Sequence, residues 1–181
     1  MKPLRTSLVL GVAVLAAASI ANAQSTQTGP GAGGSPHFKS SYTIDGANIS
    51  VSYGRPSVKG RAESALMPEG RVWRTGADTA TRITTNKALM LGSMHLEPGT
   101  YTINTVPGPQ WQLVIGKMAT PGQWGVPYKA DLEVGRMPMT TTKNATPVEQ
   151  LTISIDDTPA GANLRIEWGT AKATAPFTVM K

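Results

Sequence analysis

Apolar and polar residues alternate with a period of two along much of the chain, which is the pattern of half-buried β-strands. Ile49, Val51 and Tyr53, for example, are separated by small polar residues. Further stretches that favour strands cover residues 42–44, 79–85, 88–91, 94–96, 100–106, 111–115, 132–134, 151–155, 164–168 and 177–179. Turn-forming sequences such as Asp45-Gly46 separate these short stretches. The pattern therefore predicts an all-β fold, a single antiparallel β-sandwich or barrel-like domain.

Helical patterns are rare in this sequence. Residues 62–67, bounded by Gly60 and Pro68, favour one or two helical turns. Around them, residues 54–70 lack strand alternation and predict a long irregular loop. We therefore expect at most one or two short helices beside the strands.

The first 23 residues have the three-part layout of a secretory signal peptide. Lys2 and Arg5 supply the positive start, residues 6–20 the apolar run, and Ala21-Asn22-Ala23 the small residues before a cleavage site. The apolar run has about 15 residues, fewer than the roughly 20 that a membrane-spanning helix needs. We therefore predict cleavage after residue 23, export to the periplasm or out of the cell, and no membrane span afterwards.

Residues 24–36 follow, and they contain no apolar side chain large enough to anchor them. Segments rich in Gly, Ser, Thr and Gln bury too little apolar surface to offset the entropy lost on folding. The composition therefore predicts a flexible leader over residues 24–36. The remaining residues, 37–181, have a length typical of one folded domain.

The chain is basic, with 17 Lys and Arg residues against 11 Asp and Glu residues and a formal net charge of +6. No block of like charges is present, and export would separate the protein from nucleic acid, so we expect no nucleic-acid partner. A solvated basic surface explains this charge most simply. Attraction to acidic envelope material, such as phosphorylated lipid, wall polymer or acidic sugar, is the functional alternative.

One segment concentrates this positive charge. Six of the basic residues lie between residues 53 and 82. Guanidinium groups bind carboxylate or phosphate through paired hydrogen bonds, and an indole offers a flat apolar face. The structural alternative is that these arginines tie down their own loop through Glu63, Glu69 or Asp78. The predicted ligand-binding residues, which include two tryptophans from irregular Gly-bearing stretches, are Arg55, Lys59, Arg71, Trp73, Arg74 and Trp124.

Four motifs in the chain resemble those of a known family. They are YGRPSVKGR at 53–61, VWRTGAD at 72–78, LEPGTY at 96–101, and Trp124-Gly125. Together they resemble the bacterial family catalogued as domain of unknown function 2911, over a stretch from around residue 41 to residue 179. The resemblance implies an exported protein, in agreement with the signal peptide. It implies no particular reaction.

No catalytic or metal-binding motif accompanies these features. His37 and His95 are the two histidines, both expected at the surface, and no H-E-x-x-H, calcium-loop or G-x-S-x-G pattern occurs. Asp131 and Glu133 would share one face of a strand, as either solvated acids or a glycosidase pair would. The absence of cysteine excludes disulfides, thiol catalysis and thiolate metal sites. We predict no catalytic residue, no metal and no cofactor.

Three kinds of function stay open at this point. The first is a binding module for an anionic or carbohydrate-like ligand of the cell envelope. The second is a structural or interaction domain of the envelope, in which the basic loop docks a protein partner. The third is a hydrolase with an unrecognised site. The sequence favours the binding module, and it favours a protein that is not an enzyme.

Overall fold

A computed structural model describes residues 24–181, so that the predicted signal peptide, 1–23, lies outside the described residues. The strands are β1 Gln24–Gly29, β2 His37–Ile44, β3 Ala47–Gly54, β4 Arg82–Thr85, β5 Leu89–Leu91, β6 Met94–Leu96, β7 Gly99–Val106, β8 Gln112–Lys117, β9 Glu133–Pro138, β10 Thr140–Thr158 and β11 Gly161–Val179. One short helix, α1 Glu63–Leu66, and 3-10 turns at Ala32–Gly34 and Ala130–Leu132 accompany them. Across residues 24–181, no helix is long and apolar enough to cross a membrane.

The strands form two antiparallel sheets that pack together. The larger sheet has the order β1-β2-β3-β4-β7-β8-β9, and the smaller has the order β10-β11-β5-β6. Each sheet turns one apolar face toward the other, as the alternation in the sequence requires. The predicted all-β sandwich is therefore confirmed, including the short helix inside residues 62–67.

The core lies between the two sheets. Ile49 and Val51 of β3 and Leu113 of β8 point inward from the larger sheet and are fully buried. Burying such a side chain stabilises the fold by about 1.5–3 kcal/mol. The Tyr53 hydroxyl ties the sheets together, because it accepts a hydrogen bond from the Ile153 N–H at 2.9 Å. Burial raises the pKa of Tyr53 above its ordinary value.

The leader differs from the sequence expectation. Gln24–Gly29 is not free but forms the edge strand β1, which pairs antiparallel with β2 from Gln24–Ser41 to Gly29–His37. Residues 24–28 are exposed, so that no apolar burial holds this strand. Backbone hydrogen bonds to the open edge of β2 do so instead, and almost any sequence can supply these.

The hairpin of β10 and β11 is also longer than predicted. The sequence indicates strands at 151–155, 164–168 and 177–179, whereas the hydrogen-bonded strands span Thr140–Thr158 and Gly161–Val179. Residues 140–147 of β10 are polar or small and largely exposed at the edge of the smaller sheet, which removes the apolar alternation. The pairing in this half is irregular, with register shifts on both sides of Val148.

The connection from β3 to β4 positions the candidate site. These two strands are neighbours in the larger sheet, but residues 55–81 lie between them. The connection extends past the predicted loop at 54–70, because residues 79–81, which are β-branched or small, do not join β4. It contacts the rest of the fold through isolated bridges, Ser57–Gln150 to β10 and Trp73–Thr105 to β7.

Candidate ligand-binding cleft

The connection between β3 and β4 forms one side of a cleft of about 850 Å³, which we call the basic cleft. Its walls come from residues 33–35 of the leader, from residues within 56–61, 65–68 and 71–78 of the connection, and from Val126 and Trp168. A volume of this size is typical of sites for small ligands.

Four cationic side chains line the basic cleft: Lys59, Arg61, Arg71 and Arg74. Among the described lining residues, Asp78 alone carries a carboxylate. None of the four cations has a carboxylate partner within ion-pair distance in residues 24–181. The described lining therefore carries four cations against one carboxylate, an excess of positive charge that attracts anions.

The cations are held to different degrees by their own loop. The Arg61 guanidinium donates to the carbonyls of Val58 (3.0 Å) and Ser57 (2.5 Å). Arg74 donates one hydrogen bond, from Nε to the Gly76 carbonyl at 3.0 Å. Arg71 is exposed, and its side chain makes no hydrogen bond to any described residue. The Lys59 ammonium is likewise exposed and makes no hydrogen bond to a described residue. Lys59, Arg71 and the terminal nitrogens of Arg74 are therefore the donors with most freedom to meet a ligand.

Two stacked tryptophans form the floor of the cleft. The rings of Trp73 and Trp168 lie 5.6 Å apart at an angle of 10°, and Trp111 contacts Trp73 edge-on at 6.2 Å. Trp168 donates its indole N–H to the Glu149 carbonyl at 3.2 Å. Trp73 is 9% exposed and Trp168 is 3% exposed. The floor is therefore rigid and buried, and little indole face remains open to a ligand.

The turn after Trp73 is strained. Thr75 has a φ of 53° and Asp78 a φ of 64°, and a β-branched residue such as threonine rarely adopts this region. Thr75 is fully buried, and its hydroxyl bonds to the Trp73 carbonyl (3.2 Å) and the Thr105 hydroxyl (2.9 Å). Strain of this kind costs about 1–3 kcal/mol per residue and persists where the surroundings fix it, often at binding sites.

Close backbone packing keeps this turn in place. A Cβ added at Gly76 would lie 2.5 Å from the Thr81 hydroxyl, and one added at Gly54 would collide with the Ala77 carbonyl. The Thr81 hydroxyl also donates to the Thr75 carbonyl at 2.9 Å. Only glycine fits at 54 and 76, so that the turn carrying Arg74 is locked against the end of β3.

Asp78 is paired with His37, the first residue of β2. His37 Nε2 lies 3.2 Å from Asp78 Oδ2, and both side chains are mostly buried. The sequence places His37 at the surface beside the leader, and it carries no signal for this pair, since the two residues lie far apart in the chain. A Cβ added at Gly31 would lie 2.9 Å from both Asp78 Oδ2 and His37 Cδ2, so the leader packs directly on the pair.

Two of the residues predicted to bind a ligand lie outside the cleft walls. The Arg55 guanidinium donates to the Leu151 carbonyl and the Thr152 hydroxyl, both at 2.9 Å, and lies 4.7 Å from the Phe38 ring centroid. Arg55, which directly follows β3, therefore contacts β10 on one side and Phe38 of β2 on the other. Trp124 is 48% exposed and lies beside the cleft, where Gly125 N–H donates to the Asp78 carbonyl at 2.9 Å.

The outer face of the larger sheet carries a second depression, which we call the outer groove, of about 690 Å³. Its walls come mainly from hydroxyl and amide side chains: Ser41, Thr43, Asn48, Ser50, Thr84 and Asn86. Lys39 also lines it. These residues occupy neighbouring positions in the strand register, for example Ser41–Ser50 and Ser50–Thr84.

Outside the two depressions, Glu133 forms a hydrogen-bonded group with Tyr128 and Arg136. Arg136 donates to Glu133 from Nε (2.7 Å) and Nη2 (2.8 Å), and the Tyr128 hydroxyl also donates to it. The hydrogen bonds from Arg136 lower the pKa of Glu133. Burial, followed by the bond to Glu133, raises the pKa of Tyr128 to about 12. Within the described residues no group of three or more His, Asp or Glu residues could hold a metal ion.

The fold and cleft define a class of protein, an antiparallel β-sandwich with a cationic cleft built on one long connection. The chain belongs to the family described as "Protein of unknown function (DUF2911)", whose pattern matches residues 35–177. The match includes the cleft residues from 56 to 78 and Trp168, whereas residues 24–34 precede it. No curated protein and no solved structure matches the chain.

Proposed function

We propose that this protein is a binding module whose basic cleft takes a small anionic ligand. The observation that carries the proposal is the convergence of Lys59, Arg61, Arg71 and Arg74 on one preformed cleft without carboxylate partners among the described residues. Four uncompensated cations repel one another, and an anion removes that repulsion while accepting their hydrogen bonds.

The geometry favours an anionic group over a neutral sugar as the main determinant. Stacking of a sugar ring requires an open aromatic face, and the two tryptophans of the floor are almost completely buried. Arginine side chains, in contrast, offer planar forks that match carboxylate and phosphate oxygens. A sugar is therefore proposed as a ligand only where it carries such a group, as a sugar phosphate or a sugar acid does.

The proposed setting is the periplasm or the outside of the cell. The three-part pattern of residues 1–23 supports export. In that setting phosphorylated lipid, wall polymer and acidic sugar are the abundant anions, and each carries the carboxylate or phosphate that the cleft would recognise.

Calorimetry and thermal unfolding of the mature chain, residues 24–181, test the proposal. The ligands are inorganic phosphate, pyrophosphate and galacturonate, with glucose as the neutral control. We expect at least one anion to bind and to raise the Tm, because a ligand specific for the native state stabilises it. Binding should weaken with rising salt, since the attraction is electrostatic.

Two matched arginine variants locate the site. Arg71→Ala removes an exposed cation of the cleft, whereas Arg82→Ala removes a partly exposed arginine on β4 outside it. We expect the first variant to lose anion binding and the second to retain it. Equal loss in both variants, or equal binding of glucose and the anions, would contradict a site in the basic cleft.

An interaction domain is the second candidate function. Val126, in the cleft wall, and Trp124, beside the cleft, are 50% and 48% exposed, which places unusual apolar surface beside the cations. If no anion binds the folded protein but Trp124→Ser abolishes capture of an envelope protein that the wild type retains, this candidate replaces the first. For the hydrolase alternative, Asp78 is the one carboxylate among the described residues that line the cleft, and its partner His37 does not line the cleft.

A further inference from the structure

The leader reaches the basic cleft. Gly33, Gly34 and Ser35 line it together with the four cations. Glycine has only main-chain atoms, so that the backbone of the leader itself faces the cleft at these positions. Gly33 has φ 70° and ψ 12°, and Gly34 has φ 78°, both in the region that only glycine enters readily. Amide N–H groups in such turns are donors suited to anions.

Three contacts hold the leader in this position. β1 pairs with β2 along one edge of the sheet. Arg55 N–H donates to the Pro36 carbonyl at 2.9 Å. Gly31 packs on the pair of Asp78 and His37. Asp78 belongs to the strained turn that also carries Arg74, so the leader and the cationic wall are attached to one another.

We propose that residues 33–35 are part of the ligand site, with their main chain forming a wall that contacts the bound anion. The inference rests on the proposed function and extends it to the leader, most of which precedes the part that matches the family. If the leader contacts the ligand, full affinity requires the leader to be docked on the cleft. The apparent affinity falls with the fraction of molecules in which the leader is docked. Ligand binding and docking of the leader are then coupled.

The glycines allow a variant that acts on the backbone alone. A Cβ added at Gly33 or Gly34 meets no atom within 4 Å, so that alanine there collides with nothing and changes only the preferred φ. Gly29 is the matched control, since a Cβ there also meets nothing within 4 Å and its φ is not in the left-handed region.

The experiment measures pyrophosphate binding to the mature chain by calorimetry, in wild type, in the double variant Gly33→Ala/Gly34→Ala, and in Gly29→Ala. We expect the double variant to bind about tenfold more weakly, from a lowered docked fraction. Gly29→Ala should bind as the wild type does. Hydrogen exchange of the wild type gives a second measure, in which pyrophosphate slows the amides of residues 31–35 and of His37.

The outcomes separate the two proposals. If Arg71→Ala abolishes binding while the double glycine variant binds as the wild type does, the leader is not part of the site and the binding module stands. Absence of a change in hydrogen exchange at 31–35 and His37 on saturation with pyrophosphate leads to the same conclusion, and it does not depend on how the variants fold. If the wild type binds none of the anions, both proposals fail.

Discussion

The basic cleft and the outer groove have similar volumes, about 850 and 690 Å³, but they differ in the residues and elements that form their walls. The outer groove is lined mainly by outward-facing residues of regular strands, which must be polar because they face away from the core. The sandwich therefore accounts for its polar walls. The basic cleft contains features that a sandwich does not need, namely uncompensated cations and a strained turn.

This difference matters because the stability of a domain is small, about 5–15 kcal/mol. The left-handed Thr75 alone costs about 1–3 kcal/mol, and the repulsion among four cations adds to that. Such features persist when something other than folding requires them. The comparison shows that energetic cost, more than volume, distinguishes a candidate site from a depression of the surface.

The largest expected effect concerns the floor of the cleft. Trp73→Ala removes a buried ring that stacks on Trp168 and contacts Trp111, and we expect it to lower the free energy of unfolding by about 3–5 kcal/mol. Trp124→Ala, at a half-exposed position, should change it by less than about 0.5 kcal/mol. Denaturant unfolding of both variants measures this. Similar values for the two would show that the floor is not the support of the cleft.

The next largest effect distinguishes basic residues that stabilise the fold from basic residues that contact the ligand. Arg55→Ala breaks two hydrogen bonds from a charged group to β10, and we expect a loss of about 1.5–3 kcal/mol in stability without loss of anion affinity. Arg71→Ala should do the reverse, with a stability change below about 0.5 kcal/mol. Denaturant unfolding gives the stability change of each variant, and calorimetry gives the anion affinity of each variant. A drop in affinity for folded Arg55→Ala would remove the distinction.

A smaller effect depends on pH and lies outside both depressions. Because Arg136 lowers the pKa of Glu133, the pair stabilises the fold above the ordinary glutamate pKa and loses this effect as the pH falls through the lowered value. Both partners are partly exposed, so we expect Glu133→Gln to cost about 0.2–1 kcal/mol at pH 7. The difference from wild type should shrink steadily as the pH is lowered through the acid range. Asp131→Asn, which removes the same charge from the adjacent exposed turn, is the control for net charge.

The smallest effect is expected in the outer groove. Thr84→Ala removes a partly exposed hydroxyl that bonds to the Thr100 hydroxyl at 3.0 Å, and should cost less than about 0.5 kcal/mol. Anion binding should be unchanged, because Lys39 is the only cation among the described residues that line the groove. Calorimetry with pyrophosphate checks this. Weakened binding here would indicate that the ligand contacts the regular sheet, and the contrast between the two depressions would be lost.

The strands that the sequence predicts are those with large alternating side chains. Residues 49–53 and 111–115 show the pattern because their inward side chains form the core. The alternation pattern does not reveal β1 or the polar half of β10. Backbone hydrogen bonds hold these strands in place, and every residue type offers backbone groups for such bonds. The alternation of residue types indicates which side chains are buried, but it does not indicate which strands pair without burying apolar side chains.

The candidate site divides in the same way. The density of cations and glycines in one segment predicts Lys59, Arg71, Trp73 and Arg74, and these four do line the cleft. Arg55 does not, because an arginine that binds carbonyls and an arginine that faces a cleft look alike in a sequence. The pair of His37 and Asp78 forms because the start of β2 lies against the turn at 73–78 in the folded protein. The spacing of these residues in the sequence does not indicate that contact.

The placement of the cleft within the chain has a consequence for the order of folding. The hairpin of β10 and β11 forms through contacts close in sequence, which is fast, whereas the stacking of Trp73 on Trp168 joins distant segments. Since residues 55–81 contact both sheets, we expect the cleft to close only after the sandwich has assembled. Trp fluorescence after dilution from denaturant should then lag behind the formation of strand structure. Binding would thus report complete folding, because a partly folded chain has no cleft to offer.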